Sequence, residues 1–198
     1  AMTIQRCLGN ILRICDDVLM VAKKTAGGRD HNNMNHNTTT TATKHNHTPF
    51  QLASCLDDVT DVFAAAAAAK NILLKVEFVG DVQIMVRGMQ AELRQVLLNL
   101  IGNSVKFTSS GSIVVRLVTT EEDTSDVLKC RFEVEDTGIG VSEEESAMLF
   151  EPFYQGEQGA AVARKHQGTG LGLTLVKSMV KSMGGNIAVE GKMGQGSK

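Results

Sequence analysis

Apolar side chains near the start of the chain recur at Ile4, Leu8, Ile11, Cys15, Val18 and Ala22, in alternating steps of four and three. With Cys7, Ile14 and Val21 widening the stripe, the pattern predicts a helix with a bundle-type seam. A lone helix of that length does not bury its stripe, so it is expected to dock on a partner helix outside this chain or on another copy. Ala26-Gly27-Gly28 ends it. Asn, Thr and His then dominate from Arg29 to Thr48 with almost no apolar side chain, which reads as a flexible insertion. Apolar positions return after Pro49. Phe50 to Lys70, with an acidic first half and an alanine run from Ala64 to Ala69, predicts a helix, and Ile72 to Phe78 a strand. A helix over Gln90 to Phe107 follows, then strands over Ser112 to Thr119 and Val127 to Glu135 joined by the charged loop Glu121 to Asp126. Ser142-Glu143-Glu144-Glu145 has capping-box form and opens a short helix to Phe150. A last helix runs from about Gly170 to Met183, stopped by Gly184-Gly185, and a last strand covers Asn186 to Glu190. Irregular alternation with hairpin-like neighbours predicts an α/β (α+β) two-layer sandwich, its mixed sheet covered on one face by helices and preceded by a bundle-forming helix. Segments 1–28, 29–48 and 49–198 are the expected units.

Composition narrows the function classes. The 198 residues suit one full domain with an appendage. Twenty Lys and Arg against 22 Asp and Glu leave a formal charge of −2, so no basic footprint points to nucleic acid. The longest apolar run, Val62 to Ala69, is too short for a spanning helix, and Ala1-Met2-Thr3 is no charged-then-apolar leader. Cysteines 7, 15, 55 and 130 lack paired spacing, which favours a reducing, cytoplasmic setting over a disulfide framework. His31, His36, His45 and His47 have only Asp30 beside them, a weak basis for a metal site.

Three stretches carry chemistry. At 100° per residue, Gln95, Asn99, Asn103 and Lys106 fall within about 80° on one helix face. Leu93, Leu97, Leu100, Ile101 and Val105 lie opposite, so the greasy face anchors the helix while amides and an ammonium look outward. Asp136-Thr137-Gly138-Ile139-Gly140 sets a carboxylate at a strand end beside a turn where backbone can approach a ligand. Gly168-Thr169-Gly170-Leu171-Gly172 opens an amphipathic helix, an arrangement that aims N–H groups and a positive dipole end at phosphate. No Gly-Lys-Ser/Thr follows, which excludes a Walker loop, and the spacing does not suit the dinucleotide fingerprint.

The ordered set of the Asn-bearing helix, Asp136-x-Gly-x-Gly140, Phe150-Glu151-Pro152-Phe153, Gly168-Thr-Gly-Leu-Gly172 and Gly194-Gln-Gly-Ser197 resembles the catalytic ATP-binding domain of sensor histidine kinases, in the Bergerat-fold (GHKL) ATPase superfamily. Segment 1–28 resembles the end of that family's dimerisation and phosphotransfer hairpin. The resemblance implies ATP and Mg²⁺ as cofactors. By it, Asp136 accepts a hydrogen bond from the adenine amino group, and Gly138 and Gly140 let the backbone close around the base. Asn103 holds Mg²⁺, Asn99 and Lys106 reach the phosphates, and Phe107 lies near the nucleotide. Gly168, Thr169, Gly170, Leu171 and Gly172 belong to the phosphate-side box. Tyr154 to Gln167 is the mobile lid, with Arg164 or Lys165 offering charge to the terminal phosphate. Phe150 and Phe153 either position that lid or are plain core. An amide oxygen suffices for Mg²⁺, which keeps several waters and bridges phosphate oxygens.

Hydrolytic members such as the gyrase, MutL and heat-shock chaperone ATPases carry a water-activating glutamate where this chain has Asn99. The resemblance therefore implies a kinase that phosphorylates a histidine on a dimeric hairpin, with a receiver aspartate next and a homodimeric full-length protein. A silent, nucleotide-regulated signalling scaffold is the alternative, and a hydrolytic ATPase a remoter one. The parent is cytoplasmic or the cytoplasmic part of a membrane receptor. Several positions depart from the family. A His-Glu-x-Arg-Thr-Pro-type box ending at Pro49 would need histidine where Lys44 stands, so no acceptor is named, and His166 is read as a lid residue. Met89 replaces an aspartate that caps the asparagine helix in many relatives. The family's final strand would follow Lys198.

Overall fold

The computed structural model describes residues 48–81, 83–120, 128–156 and 169–198. Those residues fall in one compact unit, Asn46–Lys198. Strand β1 (Thr48–Gln51) leads into helix α1 (Leu52–Ala68), strand β2 (Ile72–Val79) and strand β3 (Met85–Gly88). Helix α2 (Gln90–Phe107) precedes strands β4 (Gly111–Thr120) and β5 (Lys129–Asp136). A one-and-a-half-turn helix α3 (Glu143–Met148), helix α4 (Gly172–Ser182) and short strands β6 (Gly191–Lys192) and β7 (Gly196–Ser197) complete it.

Five strands form a mixed sheet in the order β2-β4-β5-β7-β6, with β2 parallel to β4 and the other pairs antiparallel. Alternation along β4 decides the layers. Ile113, Val115 and Leu117 are fully buried, and they join Leu56 and Val59 of α1 and Leu97 and Ile101 of α2 in the core. Residues between them face the other way, where Arg116 bonds Glu77 of β2 and Glu133 of β5 across the strands. Helices thus cover one face of the sheet, as the sequence pattern predicts, and α2 packs against both α1 and α4. Each fully buried Leu or Ile contributes roughly 1.5–3 kcal/mol from the area it removes from water.

The helix over 90–107 and the strands after it lie where expected, and Ser142 closes a full capping box with Glu145. Four expectations change. Phe50 and Gln51 are not helical, because Thr48–Gln51 pairs antiparallel with Met85–Gly88 in a separate two-stranded ribbon. Four-residue strands carry too few alternations to register as a pattern. Asn186 to Glu190 is not a strand: the chain pairs only from Glu190, whose backbone exchanges two hydrogen bonds with Lys198, into the β6–β7 hairpin. Helix α3 stops at Met148 rather than Phe150. Leu100 lies outside the core cluster, while Leu98 packs against it. The expected seam helix, the bulk of the Asn/Thr/His stretch with its histidines, residues Glu157 to Gln167 of the expected lid, and Gly168 of the second glycine box lie outside the described residues.

Candidate functional site

Asp136 is the last residue of β5 and shares the inward face with Val134, so its carboxylate sits buried under α2. Oδ2 accepts hydrogen bonds from Ser197 Oγ at 2.8 Å and Ser104 Oγ at 3.1 Å, and Oδ1 accepts from the Gly138 N–H at 2.9 Å. A buried carboxylate is costly unless its lone pairs are occupied, and hydroxyls from α2 and β7 with one backbone amide supply that here.

The loops around Asp136 interlock. The Ile139 N–H donates to the Phe107 carbonyl at 3.4 Å, and the Gly194 N–H donates to the Ile139 carbonyl at 2.7 Å. Gly196 (φ +101°) lies against the Asp136 carbonyl so closely that a Cβ there would collide with it. The third glycine box therefore folds onto the first, and a side chain at Gly196 would force them apart. At Gly138 a Cβ would meet the Phe107 carbonyl at 2.7 Å and Thr108 Oγ1 at 3.0 Å. Thr108 Oγ1 is buried without a hydrogen-bond partner, and it and Asp136 Oδ1 flank Gly138, at 3.0 and 2.9 Å from where a Cβ there would stand. An orphaned hydroxyl next to an anchored carboxylate fits a polar ligand that supplies both a donor and an acceptor, as the amino-pyrimidine edge of adenine does.

Helix α2 delivers the amide stripe. Leu97, Ile101 and Val105 bury its inner face, leaving Asn99, Asn103, Lys106 and Phe107 half-buried. Asn99 Nδ2 donates to the Gln95 carbonyl at 3.1 Å, and a Cβ on Gly172 would lie 2.9 Å from Asn99 Oδ1. That close approach brings the second glycine box against the stripe. Lys106 Nζ lies 4.7 Å over the Phe107 ring. Lys70 Nζ caps the C-terminal end of α2, donating to the carbonyls of Val105 at 2.6 Å, Thr108 at 3.1 Å and Lys106 at 3.2 Å.

In the second glycine box, Thr169 Oγ1 accepts from the Leu171 N–H at 3.3 Å, and α4 starts at Gly172 with Leu171 as N-cap. The Gly170 carbonyl accepts from the Phe153 N–H at 3.0 Å. Phe153 holds φ +64° and is 73% exposed, so it is not core. Lys177 Nζ sits 5.7 Å over the half-buried Phe150 ring.

Asp136, Gly138, Gly140, Phe107, Thr169, Gly170, Leu171, Gly172 and the α2 stripe are thus linked through loops and helix contacts; Arg164, Lys165 and Gly168 lie outside the described residues. Sequence reasoning missed Ser104, Thr108 and Lys70, and had Ser197 only as the end of the third glycine box, without its link to Asp136. Ser104 carried a faint signal as a small polar residue among the anchoring positions of α2.

Residues 88–198 match the protein family described as histidine kinase-, DNA gyrase B- and HSP90-like ATPase. The chain belongs to this family. It is 34% identical over 196 residues to the sensor protein GacS of Pseudomonas syringae pv. syringae, covering 99% of this chain and 20% of that protein. The signal transduction histidine-protein kinase BarA of Escherichia coli K12 is 33% identical over 195 residues, which is 98% of this chain and 19% of BarA. This chain therefore spans about a fifth of the length of these curated relatives. Among solved structures, full-length ShkA in complex with AMPPNP shares the fold at a TM-score of 0.69 with 28% identity, over 95% of this chain and 34% of ShkA. The catalytic domain of histidine kinase ThkA gives 0.58 over 76% of this chain and 90% of that domain, and at 24% identity it speaks for the fold alone. The family makes this an ATP-binding domain of histidine kinase type. No helix among the described residues is long and apolar enough to cross a membrane.

Proposed function

We propose that this domain binds ATP with Mg²⁺ and presents the γ-phosphate to a histidine on a dimeric helical hairpin, from which a receiver aspartate takes it. The observation that carries the reading is the α2 stripe: Asn99 meets Gly172 at the start of α4, and the position where hydrolytic relatives hold a water-activating glutamate carries an amide. An amide accepts and donates hydrogen bonds but does not take a proton from water, so transfer falls to an external nucleophile.

In this reading Asp136, held by Ser104, Ser197 and the Gly138 amide, accepts from the adenine amino group, and Thr108 Oγ1 completes its hydrogen bonding toward the base. Gly138, packed against the Phe107 carbonyl, and Gly140, packed against the Lys192 carbonyl, let the backbone close around the base, with Phe107 beside it. Asn103, half-buried on the α2 stripe, would hold Mg²⁺ through its amide oxygen, and the bound ion would supply neutralisation of the phosphate charge. Asn99 and Lys106 hold the phosphates. Thr169 and the amides of Gly170, Leu171 and Gly172 at the N-terminal end of α4 orient them, together with Gly168. Arg164 or Lys165 of the lid adds charge at the terminal phosphate. Catalysis of this kind is positioning plus electrostatics. The full-length protein is a homodimer whose kinase part lies in the cytoplasm.

Incubating this chain with a separate histidine-bearing hairpin and γ-labelled ATP tests the reading. Label on the hairpin that survives base and is lost in acid is the expected result. Free phosphate without labelled hairpin would identify a hydrolase, and neither product would identify a silent scaffold.

A further inference from the structure

Strand β2 closes the five-stranded sheet at one end. It pairs with β4 on one side, and no strand among the described residues takes the other. An unpaired edge offers a row of N–H and C=O groups to another strand, and natural edges are usually kept short or interrupted by proline, bulges or charge. This edge runs for eight residues, Ile72-Leu73-Leu74-Lys75-Val76-Glu77-Phe78-Val79, with no proline, and the two charges it carries, Lys75 and Glu77, are of opposite sign. Its large apolar side chains stand open: Leu73 is 59% exposed, Val79 50% and Phe78 38%.

We propose that β2 pairs antiparallel with β2 of a second copy of this chain, about a two-fold axis at Val76, joining two five-stranded sheets into one. The side-chain order selects that register. Directly opposed residues of an antiparallel pair lie on the same face of the sheet. An axis between two residues would set the helix-covered face of one copy level with the bare face of the other, so the axis passes through a residue. Centred on Lys75 or on Glu77, the pairing opposes like charges at the axis. Centred on Val76, Lys75 faces the second copy's Glu77 and the reverse, while Leu73 faces the second copy's Val79. Leu74 faces Phe78 on the helix-covered side. Both opposite-charge pairs and both exposed apolar pairs thus form together. Glu77 already accepts Arg116 at 2.9 Å, and its own chain's Lys75 stands at 4.0 Å. A carboxylate has lone pairs for a further donor.

Sedimentation velocity from micromolar to millimolar concentration tests the proposal. The wild-type chain is expected to double its mass relative to its dilute form. Lys75→Glu sets acids against acids across the axis and Glu77→Lys sets lysines against lysines, so each alone should raise the association midpoint by about tenfold or more. An equal mixture of the two variants restores both opposite-charge pairs and should associate like wild type. Carbodiimide coupling of mixed light and 15N-labelled wild-type chains, which needs no variant to fold, should join Lys75 of one copy to Glu77 of the other. A wild-type mass that does not change with concentration, variants that associate unimpaired, a mixture that fails to recover, or coupling confined within single chains would each overturn it.

Discussion

Asp136 concentrates the chemistry of the domain in one side chain. Its Oδ1 meets an N–H and its Oδ2 meets two hydroxyls, and hydroxyls can accept as well as donate. Asn at this position keeps its carbonyl oxygen on the Gly138 amide and turns its NH₂ to Ser104 and Ser197, which rotate to accept. The fold is therefore expected to survive Asp136→Asn with a loss of about 1–2 kcal/mol, while the acceptor for the adenine amino group is halved. Calorimetric titration with a non-hydrolysable ATP analogue should show binding weakened at least tenfold in the variant, beside a near-native circular dichroism spectrum. The carboxylate itself was legible from its place before two glycines at a strand end. Ser197 and Ser104 were not legible as its partners, because 61 and 32 residues separate them from it and only folding brings them within reach.

Among the elements, α2 was legible from the sequence, since eighteen positions of helical period leave little ambiguity. Its start departs from the family in a way the structure makes concrete: Met89 is the N-cap and offers no side-chain hydrogen bond to the first turn. Met89→Asp should add about 1 kcal/mol of stability, read as a higher urea midpoint at unchanged m. The outer face of the sheet carries the other prediction. Arg116 donates to Glu133 at 2.6 Å and holds that carboxyl below its ordinary range, outweighing burial, which pushes it up; Lys198 and Arg131 add to the lowering. A depressed folded value means the unfolded chain binds the extra proton first. This contribution is therefore complete above the unfolded value of about 4.3 and fades as pH falls through the lower folded value. Glu133→Gln should flatten the acid side of the thermal stability profile and leave its slope above neutrality unchanged. The error at Asn186 to Glu190 has an elemental cause too. The apolar run Ile187-Ala188-Val189 marks residues able to form a strand, but pairing needs a partner in register, and among the described residues Lys198 exchanges backbone hydrogen bonds with Glu190.

The whole molecule depends on its C-terminal hairpin more than five residues suggest. β7 supplies Ser197 to Asp136, and Gly194 and Gly196 lock the first glycine loop. Deleting residues 194–198 should lower both the melting temperature and the affinity for the ATP analogue, because the carboxylate loses a donor and its loop a wall. A thermal shift assay with and without nucleotide separates the two losses, since stabilisation by ligand scales with affinity. What the sequence determined by itself was what lies in local period and short spacing: the long helix and strands, the layer arrangement, and the ordered set of boxes that marks the family. Hydrophobic alternation and glycine turns are written within a few residues, and physics reads them without the rest of the chain. Only the tertiary structure decided which polar groups share the buried carboxylate, that Asn99 meets Gly172, that Lys70 caps α2, and that β2 has no strand beyond it among the described residues. Each of these joins positions far apart in the chain, and their proximity is set by how the layers pack.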